Sequence, residues 1–323
     1  MRHLDLDGPG VRVRVPAKLN LFLAIRGRRP DGYHELVTVF QTLSLFDEVR
    51  ARLSGPPGRG HHPAARRRMS VELRTNGAPG LPEPADNLAV HAALALGRRT
   101  GLTALDGPPD AEAPRTVLEL HKGIPVAGGM AGGSADAAAT LVALNALWRC
   151  DLGRDDLRAL AAELGSDVSF CVVGGTALAT GRGTALAQVL CRGSFSWVVC
   201  TAKEFLATTQ VYQAWDHHCE RSEIEPDAVL QALRSQDAVA LGAALHNDLE
   251  PAAFKLRPEL RASKEALIEA GALGVVLSGS GPTLLALCED DAAAQDLARR
   301  VRRDFGQTIV AQSPAGGPDR LLR

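Results

Sequence analysis

Between Lys122 and Trp148 the chain reads KGIPVAGGMAGGSADAAATLVALNALW, and no other stretch limits the fold so strongly. Five of the eleven residues from Gly123 to Gly133 are glycine. Such a segment has almost no apolar surface to bury, so its glycines must serve backbone geometry: positive φ, or close approach of a ligand to main-chain N–H groups. From Ser134 the sequence changes character. Serine is a favourable N-cap and the alanine-rich run behind it has high helix propensity. Leu141, Leu144 and Trp148 recur at helical spacing, which gives the helix one face to bury. With Thr116 to His121 as a strand, the central unit reads strand, glycine loop, helix.

A glycine loop that feeds a helix N-terminus is built to bind anions. The first turn leaves N–H donors unpaired, and the helix dipole places roughly half a positive charge beside them. A polyphosphate fits that description. So does a plain flexible connector ahead of a buried helix, and the loop alone does not separate the two. Spacing excludes two familiar phosphate loops. No Lys-Ser or Lys-Thr pair follows the last glycine, as a P-loop requires, and no G-x-G-x-x-G marks a dinucleotide fold.

Composition narrows the setting. A chain of 323 residues holds one large domain or two closely packed ones. A formal net charge of −1 gives no basic field for nucleic acid. No apolar run reaches the roughly 18 residues of a membrane span, and the opening MRHLDLDG lacks the apolar centre of a signal peptide. Six scattered cysteines form no C-x-x-C and no zinc spacing, so they read as reduced core residues of a cytoplasmic protein. Lysine is rare beside arginine. Lys18, Lys122, Lys203, Lys255 and Lys264 therefore mark places where a compact ammonium is wanted.

Taken in order, residues 11–25 read as two strand segments broken at Pro16, with Lys18 and Asn20 inside the second, otherwise apolar one. A lysine there either reaches solvent or meets an anion. A P-D-G turn at Pro30–Gly32 leads to Tyr33 and His34, then to a strand from Val37 to Leu45. The ring pair serves either hairpin packing or a stacking platform. Residues 55–68 read as an exposed Gly/Pro/Arg-rich insertion and 69–75 as a strand. Residues 86–101 read as a helix capped by Asp86 or Asn87 and stopped at Gly101, and 103–114 as a linker.

A helix over 154–164 stops at Gly165. Asp167 follows it, ahead of an apolar strand, and by itself reads as a turn residue. Residues 174–190 read as a hairpin and 196–201 as a strand. The second half is mainly helical, at 208–218 (capped by Thr208), 226–235, 237–245, 258–271 and 291–304. Two apolar strands interrupt it around the turn Ser278–Pro282, which is either a tight hairpin or a second backbone approach to phosphate. The fold class is α+β, in two closely associated halves at 1–190 and 191–323.

Considered jointly, a glycine loop on a helix, a second Gly-Ser turn, a lysine in an early strand and an aspartate after a helix are the parts of a phosphoryl transferase. PAKLNLFLAI (16–25) with DGYHEL (31–36), IPVAGGMAGGSADAAATLVALN (124–145), LGSDVSFCVVGGTALATGRG (164–183) and LSGSGPTLLAL (277–287) resemble, in order and spacing, the signature segments of the GHMP kinases. The first pair resembles the branch of that family that acts on a CDP-linked methylerythritol.

The resemblance implies a two-domain fold with its site in the cleft between the halves. It implies ATP-dependent phosphorylation of the 2-hydroxyl of the methylerythritol unit, on the non-mevalonate route to isopentenyl diphosphate, with Mg²⁺ between the phosphates. Lys18 and Asp167 match the catalytic pair. Lys122, Pro125, Val126, Ala127, Gly128, Gly129, Met130, Ala131, Gly132, Gly133, Ser134 and Ala135 match the ATP loop. Tyr33, His34 and Tyr212 match positions around the cytosine, Asn20 and Asp136 positions near the methylerythritol, and Thr208, Gly279, Ser280 and Gly281 the rest of the substrate side. Neither a nucleic acid nor a membrane is implied as partner.

Three features depart from the family pattern: Ser169 where proline is frequent, Ala127 and Ala131 where glycine or leucine is, and Asp136 where asparagine is common. Two rivals remain. A GHMP kinase for a mevalonate-type or sugar acceptor would not need DGYHE and Tyr212, and a silent nucleotide-binding protein would not need both Lys18 and Asp167.

Overall fold

The computed structural model describes residues 10–54, 68–76, 80–105, 115–126, 128–202 and 204–321; Lys203 and nearly all of the 55–68 insertion lie outside that set. Two long strands carry the first sheet. β1 (Val11–Arg28) and β2 (His34–Ser54) pair antiparallel, joined by a turn in which the Tyr33 N–H donates to Asp31 Oδ1 at 3.1 Å. The expected break at Pro16 does not occur. β1 runs through it, and a register shift between Pro16 and Ala17 absorbs the missing amide. β3 (Arg68–Thr75), β4 (Thr103–Leu105) and β5 (Arg115–His121) extend the sheet in the order β2-β5-β3-β4. Residues 103–105, read as linker, thus form a strand, and 106–114 lie outside the described residues. β6 (Thr176–Gly181) pairs with the opposite end of β2 and with β7 (Ala185–Gln188).

The second sheet is antiparallel. β8 (Phe195–Thr201), β10 (Gly274–Leu277), β11 (Leu284–Cys288) and β12 (Gln307–Ser313) lie in the order β10-β11-β8-β12. Two short late strands cross back to the first sheet: β9 (His246–Asn247) and β13 (Asp319–Arg320) both pair with β1. One core runs through both halves, joining Leu19, Leu21 and Leu141 to Trp197, Val276 and Leu285.

α1 (Leu88–Thr100) shows why local signals read well. Asn87 Oδ1 accepts from the Ala89 N–H at 2.9 Å, and Gly101 closes the helix at φ 72°. α2 (Gly132–Leu147) departs from its expected shape. It is buried on nearly every side from Ala135 to Leu144, and its alanines let β1, β2 and α1 approach closely. α3 (Arg154–Leu164) is as expected, but the run after it is not a strand. α4 (Ser166–Val173) is a helix that buries Val168, Phe170, Cys171 and Val172, packed on α2 and α3. Tertiary packing there overrides the preference of β-branched residues for strands. Around the second sheet come α5 (Thr208–His218), α6 (Asp227–Ser235), α7 (Ala238–Ala244), α8 (Glu250–Leu256), α9 (Pro258–Glu269) and α10 (Asp291–Val301). All six cysteines are free thiols. Among the described residues no helix is long and apolar enough to cross a membrane.

Candidate active site

Lys18 sits in β1 and is only 4% exposed. A buried ammonium persists only where partners replace its water. Its Nζ donates to Asn20 Oδ1 at 2.8 Å, lies 3.4 Å from Asp167 Oδ2, and stands 5.2 Å over the Phe40 ring. Asn20 is oriented in turn: its Nδ2 donates to Thr38 Oγ1 at 2.9 Å, and that hydroxyl donates to the Phe22 carbonyl at 2.6 Å. Asp167 occupies the first turn of α4, where the helix dipole favours a carboxylate. Its side chain keeps 34% exposure, so it is open to the cleft.

The glycine loop meets this pair through the backbone. The Lys18 N–H donates to the Met130 carbonyl at 3.2 Å. Gly129 has φ +73°, and a Cβ there would fall 2.2 Å from the Ser278 carbonyl oxygen, so only glycine permits the approach. The Ser278 hydroxyl donates to the Gly129 carbonyl at 3.1 Å. Asn247 fixes the far side of that turn, its Nδ2 donating to the carbonyls of Leu277 at 2.8 Å and Gly279 at 2.7 Å. A Cβ at Gly279 would lie 3.6 Å from Asn20 Oδ1 and 3.7 Å from Lys18 Nζ. Loop, turn and lysine therefore surround one space, a cleft of about 910 Å³.

Helix α2 starts two residues before the expected cap. Ala131, at φ 58°, is the N-cap, and Ser134 lies inside the first turn. Thr208 is likewise no cap but the first residue of α5; its hydroxyl is 2.8 Å from that of Ser280. Lys122 lies on the cleft wall, held by two buried carboxylates: its Nζ donates to Asp136 Oδ2 at 2.6 Å and also to Asp47 Oδ2. Asp47 Oδ1 accepts from the N–H groups of Gly123 and Ile124 at 2.8 and 2.9 Å, which clamps the loop at its start. Burial alone pushes the Lys122 ammonium down, but Asp136 and Asp47 outweigh it and hold its pKa above the usual lysine value. One cation shared by two carboxylates leaves an excess negative charge. Burial, opposed by Lys122 and reinforced by Asp47, pushes the Asp136 carboxyl up to about 7.

At the other end of the cleft the aromatic groups already have partners. Arg182 stacks on Tyr33, and the His34 ring lies 4.8 Å from that of Tyr212, tilted by 31°. His34 also meets Trp215 edge-on at 5.6 Å and pairs through Nε2 with Asp216 Oδ1 at 2.7 Å. Burial raises the Tyr212 hydroxyl well above the usual tyrosine value, with Asp167 adding to the effect.

Of the residues expected at the site, Lys18, Asn20, Tyr33, His34, Lys122, Pro125, Val126, Gly128–Ser134, Asp136, Asp167, Thr208, Tyr212, Gly279 and Ser280 all line this cleft. Ala135 is fully buried in α2, and Gly281 closes its turn by donating to the Ser278 carbonyl at 2.8 Å. Ala127 lies outside the described residues. Sequence reasoning missed Asp47, Thr38, Asn247 and Arg182. Asp47 had one faint signal, a carboxylate within an apolar strand; Asn247 had none.

The fold and this cleft define a small-molecule kinase built on two interlocked halves. Residues 87–175 match the GHMP kinases N terminal domain and residues 229–307 the GHMP kinases C terminal region. The chain is 46% identical over 315 residues to a 4-diphosphocytidyl-2-C-methyl-D-erythritol kinase of Saccharopolyspora erythraea, covering 95% of this chain and 92% of that one. For the kinase of the same name from Nocardia farcinica the identity is 47% over 314 residues, covering 95% and 94%. The chain belongs to the GHMP kinase family and, within it, to the 4-diphosphocytidyl-2-C-methyl-D-erythritol kinases. A crystal structure of 4-(cytidine 5'-diphospho)-2C-methyl-D-erythritol kinase superposes with TM-score 0.73 at 31% identity, over 94% of this chain and 100% of that one. Homoserine kinase from Cytophaga hutchinsonii shares the fold, with TM-score 0.71 at 19% identity over 99% of this chain and 100% of that one.

Proposed function

We propose that this protein transfers the γ-phosphoryl group of ATP to the 2-hydroxyl of 4-diphosphocytidyl-2-C-methyl-D-erythritol, giving the 2-phosphate and ADP. The observation that carries the reading is the 3.4 Å pairing of Lys18 with Asp167 in the cleft that the glycine loop lines. Asp167 takes the hydroxyl proton as the oxygen attacks the γ-phosphorus. Lys18, 3.4 Å from that carboxylate, steadies the alkoxide as it forms. Such a positioned base accounts for roughly 10²–10⁴ in rate. Main-chain N–H groups of Gly128–Ser134, with the α2 dipole, hold the phosphates, and the Ser278–Gly281 turn closes on them from the second half. Tyr33, His34 and Tyr212 receive the cytosine.

Among the described residues no group of three or more His, Cys, Asp or Glu side chains is arranged to hold a metal. A Mg²⁺ ion fits as one carried in on phosphate oxygens and waters, as that ion prefers. Asp136 Oδ1, buried and without a hydrogen-bond partner, together with Ser134, would hold it. The ion would supply charge neutralisation between the phosphates.

A coupled ADP-release assay tests the assignment. Turnover is expected with the CDP-linked methylerythritol and not with mevalonate or phosphomevalonate. Turnover confined to either mevalonate compound would overturn it.

A further inference from the structure

Between the aromatic end of the cleft and the Lys18–Asp167 pair lies a cation that the chemistry above does not use. Arg182 forms the tip of the β6–β7 hairpin, flanked by Gly181 at φ 69° and Gly183 at φ 87°. It lines the cleft, and its guanidinium carbon lies 3.6 Å from the Tyr33 ring centroid. Its Nε is buried without a hydrogen-bond partner, and among the described residues it makes no salt bridge. The acid that feels its charge, Asp31, is engaged by Arg29.

The hairpin tip also touches the reacting end. A Cβ at Gly183 would lie 3.7 Å from Ser166 Cβ and from Phe40 Cζ; Ser166 precedes Asp167, and Phe40 is the ring beneath Lys18. Arg182 thus spans the interval between a stacking ring and the phosphoryl-transfer pair. A guanidinium uses its face and its edge separately. The face rests on Tyr33, while the in-plane N–H fork stays free for two anionic oxygens. An unmatched, partly desolvated cation is costly until an anion arrives. In a CDP-linked alcohol the diphosphate lies in that same interval, between the base and the carbon chain.

We propose that Arg182 recognises the diphosphate of the acceptor, making it a determinant of specificity for nucleoside-diphosphate-linked alcohols. The inference rests on the acceptor class proposed above. Calorimetric titration with CDP and with cytidine tests it, with the nucleotide site filled by a non-hydrolysable ATP analogue. Wild-type protein should bind CDP at least about tenfold more tightly than cytidine. Arg182→Gln should lose most of that preference while holding cytidine as wild type does, and Arg182→Lys should keep part of it as a point charge. Equal weakening toward both ligands would make Arg182 a mere support for Tyr33 and overturn the proposal, as would CDP affinity that survives Arg182→Gln. Wild-type protein that binds neither ligand would overturn the acceptor reading together with this one.

Discussion

The two ends of the cleft are made differently. The end proposed to hold the phosphates is backbone: one contiguous loop, its helix, and a turn that meets it where Gly129 touches Ser278. The end proposed to take the acceptor is side chains delivered by separate elements: Lys18 and Asn20 from β1, His34 and Thr38 from β2, Asp167 from α4, Arg182 from a hairpin and Tyr212 from α5. Backbone recognition suits a group common to many substrates, whereas side chains can be exchanged one at a time to suit a particular alcohol. The ends also differ in fragility. The first breaks when an atom is added, the second when one is removed.

The largest effect should come from removing a charge at the side-chain end. Asp167→Asn is expected to lower kcat about 10³-fold while leaving the melting temperature and ATP affinity near wild type, as read by steady-state kinetics and calorimetry. Near-normal turnover would end its role as base. At the backbone end, Gly129→Ala places a methyl group against the Ser278 carbonyl at a positive φ. A loss of about 3 kcal/mol in stability is expected, with weaker ATP-analogue binding; an unchanged denaturant midpoint would mean the two segments are not in contact. Smaller still, Tyr212→Ala should raise the acceptor KM about tenfold and leave the KM for ATP alone. Equal shifts in both would erase the division between the ends.

The last effect depends on pH. With its pKa raised from an unfolded value of 3.8 to about 7, Asp136 keeps in the folded state a proton that the unfolded chain releases. Stability from this group therefore falls as pH rises from about 4 to 7 and is flat above that. Asp136→Asn removes the penalty. Its gain over wild type should be at most about 4 kcal/mol at pH 8 and shrink to nothing near pH 4, which urea unfolding at several pH values would register. A gain independent of pH would show that Asp136 is charged throughout.

The same division governs what the sequence disclosed. The caps of α1 are local devices, visible in a few adjacent residues, and they fold as read, whereas the helix after the glycine loop begins at Gly132 with Ala131 as its cap and not at Ser134. α4 was misread because its apolar residues satisfy a strand pattern, and only packing on α2 and α3 selects the helix. The closed side of α2 was hidden for a related reason: alanine is neutral about burial until its neighbours are known. Asp47 lies 75 residues from the lysine it holds, so no local spacing could connect them. The family signatures brought Lys18 and Asp167 into one hypothesis, but Arg182, a single letter between two glycines, carried no signal of its own.

β9 and β13 give the interlocked halves a consequence for biogenesis. During ribosomal synthesis the outer edge of β1 stays without partners at Leu23 until His246 and Asn247 emerge, and at Val13 until Asp319 and Arg320 do. An open strand edge invites pairing with other nascent chains. Cutting the gene near codon 190 should therefore yield an amino-terminal fragment that associates with itself, and recovery of that fragment as a soluble monomer would show that the late strands are dispensable.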